Sequence, residues 1–128
     1  MHKAIRLGLA ATVAAALLVT APAAFAKGRA IQKSGSCSAA STWKLKVKPD
    51  NAMIEASFEV DQNVVGDTWA VVLKDNGTVF FQGNRVTKAP SGSFEVTKRT
   101  ADQVGSDKIT ARATNAATGE VCKASATL

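Results

Sequence analysis

The sequence predicts an all-β domain, an antiparallel β-sandwich of about seven strands, on three observations. After residue 27, apolar and polar residues alternate with a period of two over short runs. Turn-forming residues separate these runs at intervals of about 8–12 residues. No stretch in this part of the chain has the 3.6-residue apolar period of an amphipathic helix.

Residues 1–26 have the pattern of an export signal. A short basic segment with Lys3 and Arg6 precedes an apolar run, and Ala-Phe-Ala at 24–26 is a small-x-small cleavage site. We therefore expect a secreted protein whose mature chain begins at Lys27 and has no integral membrane segment after cleavage. Its length, 128 less 26 or 102 residues, is that of one domain.

The charge of the mature chain is mildly basic. Without Lys3 and Arg6, 14 of the 16 basic residues remain against 10 acidic residues, which gives a net charge of +4. This suits weak attraction to an anionic cell-wall polymer, but it lacks the density typical of a nucleic-acid-binding protein. We interpret the charge first as ordinary solubility charge and second as a means of binding such a polymer. We expect a monomer.

Cys37 and Cys122 are the only cysteines, and they lie near the two ends of the mature chain. In an exported protein they predict one disulfide. A lipid anchor requires a cysteine directly after the signal, where Lys27 stands. A metal site requires further ligands, and the only histidine, His2, lies within the signal. We expect no metal and no cofactor.

The first hairpin is predicted from two alternating runs, 42–48 and 54–61, which flank a Pro-Asp-Asn turn. Trp43 shares one face of its strand with Leu45 and Val47, and three lysines occupy the other face. A register in which Val47 opposes Ile54 places core against core and Lys46 against Glu55.

The second hairpin runs over 68–74 and 78–81 around Asp-Asn-Gly. A two-residue Asn76-Gly77 loop pairs Leu73 with Phe80 and breaks the alternation, so we expect a bulged three-residue loop that pairs Leu73 with Val79. Val72 and Phe80 then face each other on the outer side.

Three further strands are predicted over 93–98, 108–114 and 121–128. Residues 27–35 show no pattern, and we expect a flexible N-terminal arm there. The β-sandwich domain itself is predicted to span 36–128, with Trp43 and Trp69 buried in its core.

The chain resembles immunoglobulin-like modules of bacteria over residues 36–128, with strands in the order A, B, C, C′, E, F and G. It is also similar to small secreted bacterial proteins of unknown function, on four segments: G-S-C at 35–37, W-K-L-K at 43–46, G-D-T-W at 66–69 and T-G-E-V-C at 118–122. The resemblance implies an immunoglobulin-like fold and a secreted location, and it implies no activity.

No catalytic residue is predicted. The mature chain has neither histidine nor tyrosine, and both cysteines are assigned to the disulfide, which excludes serine–histidine and cysteine–histidine catalysis. We therefore expect a non-catalytic binding or structural module. The alternatives are an enzyme inhibitor that acts through residues 85–92, or a hydrolase.

Two surfaces are candidates for binding. The first is an outward face with an apolar centre and a basic rim, predicted to bind an unknown protein partner; its residues are Val72, Phe80, Arg112 and Lys123. The second is the stripe formed by Lys44, Lys46 and Lys48. We interpret the stripe first as protection of an edge strand and second as a docking site for an anionic polymer.

Overall fold

The computed structural model describes residues 28–128, which form eight β-strands and no helix. The described range accordingly holds no helical segment that is long and apolar enough to cross a membrane. The strands are β1 Ile31–Ser36, β2 Thr42–Asp50, β3 Met53–Asp61, β4 Thr68–Asp75, β5 Thr78–Val86, β6 Ser93–Ala101, β7 Lys108–Asn115 and β8 Val121–Thr127. The predicted export signal lies outside the described residues.

The strands form two antiparallel four-stranded sheets. The first sheet has the order β1-β2-β3-β6, and the second has the order β5-β4-β7-β8. The predicted all-β sandwich with one disulfide is confirmed, and the disulfide joins Cys37 to Cys122. The immunoglobulin-like assignment stays a prediction.

The structure adds one strand, β1, to the seven predicted. The expectation of a flexible arm over 27–35 is therefore wrong for residues 31–35. Ile31 pairs with Val47, and Ser36 pairs with Thr42. The short run of β1 is mostly exposed and contains Gly35, so it lacks the alternation by which strands are recognised in a sequence. Pairing with β2 and contact of Ile31 with the core hold it in place.

The first hairpin has the predicted inward and outward faces but a different register. Val47 opposes Ala56 rather than Ile54, a shift of two residues. The loop is the two-residue Asn51-Ala52 turn, and both residues have positive φ, as a type I′ turn requires. A turn of this type matches the twist of the strands. Strand β2 therefore extends through Pro49, and the turn lies closer to the C terminus than predicted.

The second hairpin also closes with two residues. Asn76 and Gly77 have φ values of 48° and 86°, and Leu73 pairs with Phe81 rather than with Val79. The predicted bulge exists, but it lies within β5 at Phe80, where the register shifts. The bulge restores the apolar alternation that a two-residue loop otherwise breaks.

The core lies between the inner faces of the two sheets. It contains fully buried Trp69 and Phe58 among aliphatic side chains from both sheets. The Trp69 and Phe94 rings pack with their centroids 6.1 Å apart. The prediction of a buried tryptophan is confirmed for Trp69, whereas Trp43 is partly exposed and packs against the edge of the core.

The disulfide closes one flank of the sandwich. Cys37 lies in the connection between β1 and β2, and Cys122 lies in β8, with their Cα atoms 4.3 Å apart. Beside it, the Ser38 N–H donates to the Val121 carbonyl oxygen over 2.8 Å. The crosslink therefore ties the last strand of the second sheet to the first sheet.

Candidate binding face on the second sheet

The outer surface of the second sheet carries long cationic side chains around short polar ones. Because Ile109, Ala111 and Ala113 of β7 are buried, the intervening residues of this central strand face outward. The strand pairing places Arg112 between Val72 of β4 and Lys123 of β8. One step along the sheet, Thr110 lies between Lys74 and Ser125.

These outward side chains form a shallow groove of about 420 Å³ over β4, β7 and β8. The short side chains form its floor, and the long ones form its walls. Its ionisable lining consists of four cations, and no carboxylate among the described residues lines it. The cations are Lys74, Lys108, Arg112 and Lys123. We call this surface the basic face.

Three of the four residues predicted for the partner surface lie together on the basic face. Val72 is half-buried beside Arg112, and Arg112 opposes Lys123. The fourth was placed wrongly, because Gln82 and not Phe80 opposes Val72. Phe80 is the bulge residue of β5 and packs against the core. The face therefore has less apolar area and more positive character than the sequence indicated.

The neighbouring Phe81 packs at the open flank between the two sheets. The Arg85 guanidinium carbon lies 5.0 Å from the centre of its ring, and the Lys98 ammonium of β6 lies 4.9 Å from it. Cations at this distance from an aromatic ring are attracted by the negative charge of its face. The two cations cover an aromatic ring at this flank, opposite the flank that the disulfide closes.

The lysine stripe lies on the outer surface of the first sheet, and its interpretation as edge protection is wrong. Strand β2 is not an edge strand, since β1 and β3 flank it. Lys44 opposes Glu59, and the Lys48 ammonium lies 3.6 Å from Glu55. Acidic residues of β3 thus partly neutralise the stripe. We call this surface the ion-paired face.

A hydrogen-bond network at one end of the sandwich is centred on Asp67, a residue whose role the sequence did not indicate. One carboxylate oxygen accepts from Gln62 over 2.6 Å and from Asn115 over 3.0 Å. Gln62 in turn accepts from the Trp69 indole N–H over 3.0 Å. The hydrogen bonds from Asn115 and Gln62 lower the pKa of Asp67 and outweigh the opposing effect of desolvation.

A second network joins the connection after β1 to the start of β8. The buried Glu120 carboxylate accepts from the backbone N–H groups of Ala39 and Ser41, each over 2.9 Å, and from the Ser41 hydroxyl over 2.6 Å. Asp67 and Glu120 belong to the G-D-T-W and T-G-E-V-C segments quoted above. Both carboxylates therefore accept hydrogen bonds that hold connections of the fold in place.

The segment over 85–92, which the sequence offers as an inhibitory loop, is part of the packed structure. This segment is held at several points. Thr87 is buried and donates its N–H to the Asp67 backbone carbonyl oxygen, and Lys88 forms a β-bridge with Ser93. A Cβ on Gly92 would lie 2.4 Å from the Val64 nitrogen, so the segment packs tightly onto the neighbouring loop. Within residues 28–128, no group of three His, Cys, Asp or Glu residues is placed to hold a metal ion.

Comparison with models of protein families, with curated proteins and with solved structures finds no match to this chain.

Proposed function

We propose that this protein is a secreted, non-catalytic binding module with an immunoglobulin-like β-sandwich, and that its basic face binds an anionic polymer such as those of cell walls. The observation that carries the proposal is the groove lined by four cations and no carboxylate among the described residues. A cluster of like charges that the fold does not neutralise attracts anions, and this attraction is greatest at low salt.

The contrast with the ion-paired face supports the choice of surface. That face has lysines of its own, but acidic side chains from β3 and β6 line the same groove, which holds about 250 Å³. An anionic ligand there would have to displace existing ion pairs. On the basic face it would meet cations that repel one another, and its binding would relieve that repulsion.

The secreted location rests on the export signal and is supported by the disulfide. Cys37 and Cys122 form a disulfide, and disulfides form and persist in oxidising compartments. A rigid sheet also suits binding, because the strands hold the cationic side chains at set spacings and little backbone freedom is lost when a ligand binds.

The test uses fluorescein-labelled polyphosphate and fluorescence anisotropy over a range of salt concentrations. We expect Arg112→Glu with Lys123→Glu to lower the affinity at least about tenfold at low salt, because two attractions become repulsions. The matched control is Lys44→Glu with Lys46→Glu, which changes the net charge equally on the other sheet. We expect it to change the affinity by about twofold or less.

Equal loss in the two double variants would contradict the proposal, since net charge alone would then account for binding. Circular dichroism and thermal melts of both variants establish that they remain folded.

A further inference from the structure

We infer that the hydroxyl groups of Thr110 and Ser125 form the centre of a phosphate-binding subsite on the basic face. The inference rests on the proposed function and deepens it, because it names the anionic group that the face recognises. The two residues are direct neighbours across β7 and β8, and both line the groove. Both residues face outward, and Thr110 has cationic residues on three sides.

The strand pairing gives the spacing of these cations around Thr110. Lys74 is its direct partner on β4, which places the two Cβ atoms about 5 Å apart. Lys108 and Arg112 lie two residues away on either side along β7, at about 7 Å. Lys123 is the partner of Arg112 and stands next to Ser125 on β8 at a similar distance. All four side chains are long enough to lean over the central hydroxyls.

This combination of donors suits a phosphate group better than a carboxylate. A phosphate carries its oxygens in a tetrahedral arrangement, so it can accept from hydroxyls below and from cations at its sides at the same time. A carboxylate has two oxygens in one plane and can use fewer of these donors. Arg112 adds a planar guanidinium that binds two oxygens of one phosphate side by side.

The geometry also favours a polymer over a free ion. The groove is open and shallow, and Thr110 is only half-buried while Ser125 is exposed. A single phosphate there would remain largely hydrated and would bind weakly. A chain of phosphate or phosphodiester groups can place successive charges against the cations of β4, β7 and β8, and each contact raises the effective concentration of the next.

The experiment compares two labelled polyanions of similar charge and length, polyphosphate and poly-L-glutamate. We expect the wild-type protein to bind polyphosphate about tenfold more tightly, which corresponds to roughly one additional charge-assisted hydrogen bond. Thr110→Val with Ser125→Ala removes both hydroxyls and no charge. This double variant should lose the preference, because its binding of polyphosphate becomes weaker while its binding of poly-L-glutamate stays the same.

Thr114→Val is the matched control, because Thr114 lies on the same outward side of β7, beyond Arg112, and does not line the groove. We expect it to leave the preference intact. As a measurement independent of polymers, titration with inorganic phosphate should shift the backbone amide NMR signals of Thr110 and Ser125 first, with smaller shifts in the double variant.

The outcomes separate the subsite from the proposed function. If the wild-type protein binds both polymers equally, or if the double variant keeps its preference for polyphosphate, the assignment of the subsite is wrong, whereas the proposal that the basic face binds anions still holds. If the wild-type protein binds neither polymer at low salt, the proposed function fails and the subsite fails with it. Loss of the preference in Thr114→Val as well would also overturn the assignment to Thr110 and Ser125.

Discussion

The two outer faces of the sandwich use the same kind of residue to opposite effect. On the ion-paired face, Lys48 lies 3.6 Å from Glu55, and Arg99 pairs with Glu55 and Asp50. On the basic face, Lys74, Lys108, Arg112 and Lys123 surround a groove that no described carboxylate lines. The difference lies in the neighbouring strand, since β2 runs beside acidic β3 whereas β7 runs beside β4 and β8, which place further cations there. A lysine on a strand therefore indicates little about function until its cross-strand neighbours are known.

The largest expected effect tests the scaffold on which both faces stand. Replacing both cysteines, Cys37→Ala with Cys122→Ala, should lower the free energy of unfolding by roughly 4–5 kcal/mol. This figure is the upper estimate from the chain entropy of a loop of this length. Denaturant unfolding of the variant and of the oxidised protein measures the difference. Equal stability of the two would show that the hydrogen bonds around Glu120 hold this flank without the crosslink.

A second test separates the inner and outer sides of one strand of the second sheet. Trp69→Ala should cost about 3–5 kcal/mol, because the side chain is fully buried and its loss leaves a cavity. Val72→Ser, three residues along β4 on the basic face, should cost about 1 kcal/mol or less. Thermal melts compare the two variants. A large loss in Val72→Ser would show that the basic face contributes to folding and is less free to serve binding.

A third test uses acid, and it concerns the end of the sandwich rather than either face. Because its hydrogen bonds lower the pKa of Asp67, its charged form stabilises the fold above the unfolded pKa of about 3.9. That stabilisation is lost as the pH falls through the lower, folded pKa. The stability difference between wild type and Asp67→Asn should therefore be constant from pH 7 to about 5 and should shrink below about pH 3.9. A difference that persists unchanged to pH 2 would assign the effect to packing.

The smallest effect distinguishes the faces most directly, because only the variant on the ion-paired face is expected to lose stability. Lys48→Gln removes one partner of an ion pair and should lower stability by up to about 1 kcal/mol. Lys123→Gln removes one of four mutually repelling cations and should leave stability unchanged or raise it by a few tenths of a kcal/mol at low salt. Added salt should reduce both effects. A loss of stability in Lys123→Gln equal to that in Lys48→Gln would contradict the contrast between the faces.

The alternation of residues by itself determined which side chains point inward, and the predicted faces of the first hairpin hold along β2 and β3. It also determined the fold class, and the two cysteines indicated the disulfide. Burying apolar side chains is the main gain in folding, so a period of two specifies the core side of a strand wherever that side is apolar. Strand β1 escaped recognition because its side chains are mostly polar and exposed.

Only the tertiary structure decided which residues face each other across the strands. A shift of two residues leaves every inward and outward assignment unchanged, so the pattern that identified the first hairpin did not distinguish Val47 opposite Ile54 from Val47 opposite Ala56. The backbone of the Asn51-Ala52 turn selected the second arrangement, and a bulge removed Phe80 from the predicted surface. For the same reason the sequence placed Arg112 and Lys123 on one face but did not bring Thr110 and Ser125 together among them. A binding face depends on neighbours across strands, and those neighbours are set by turn geometry and sheet order rather than by the period of the sequence.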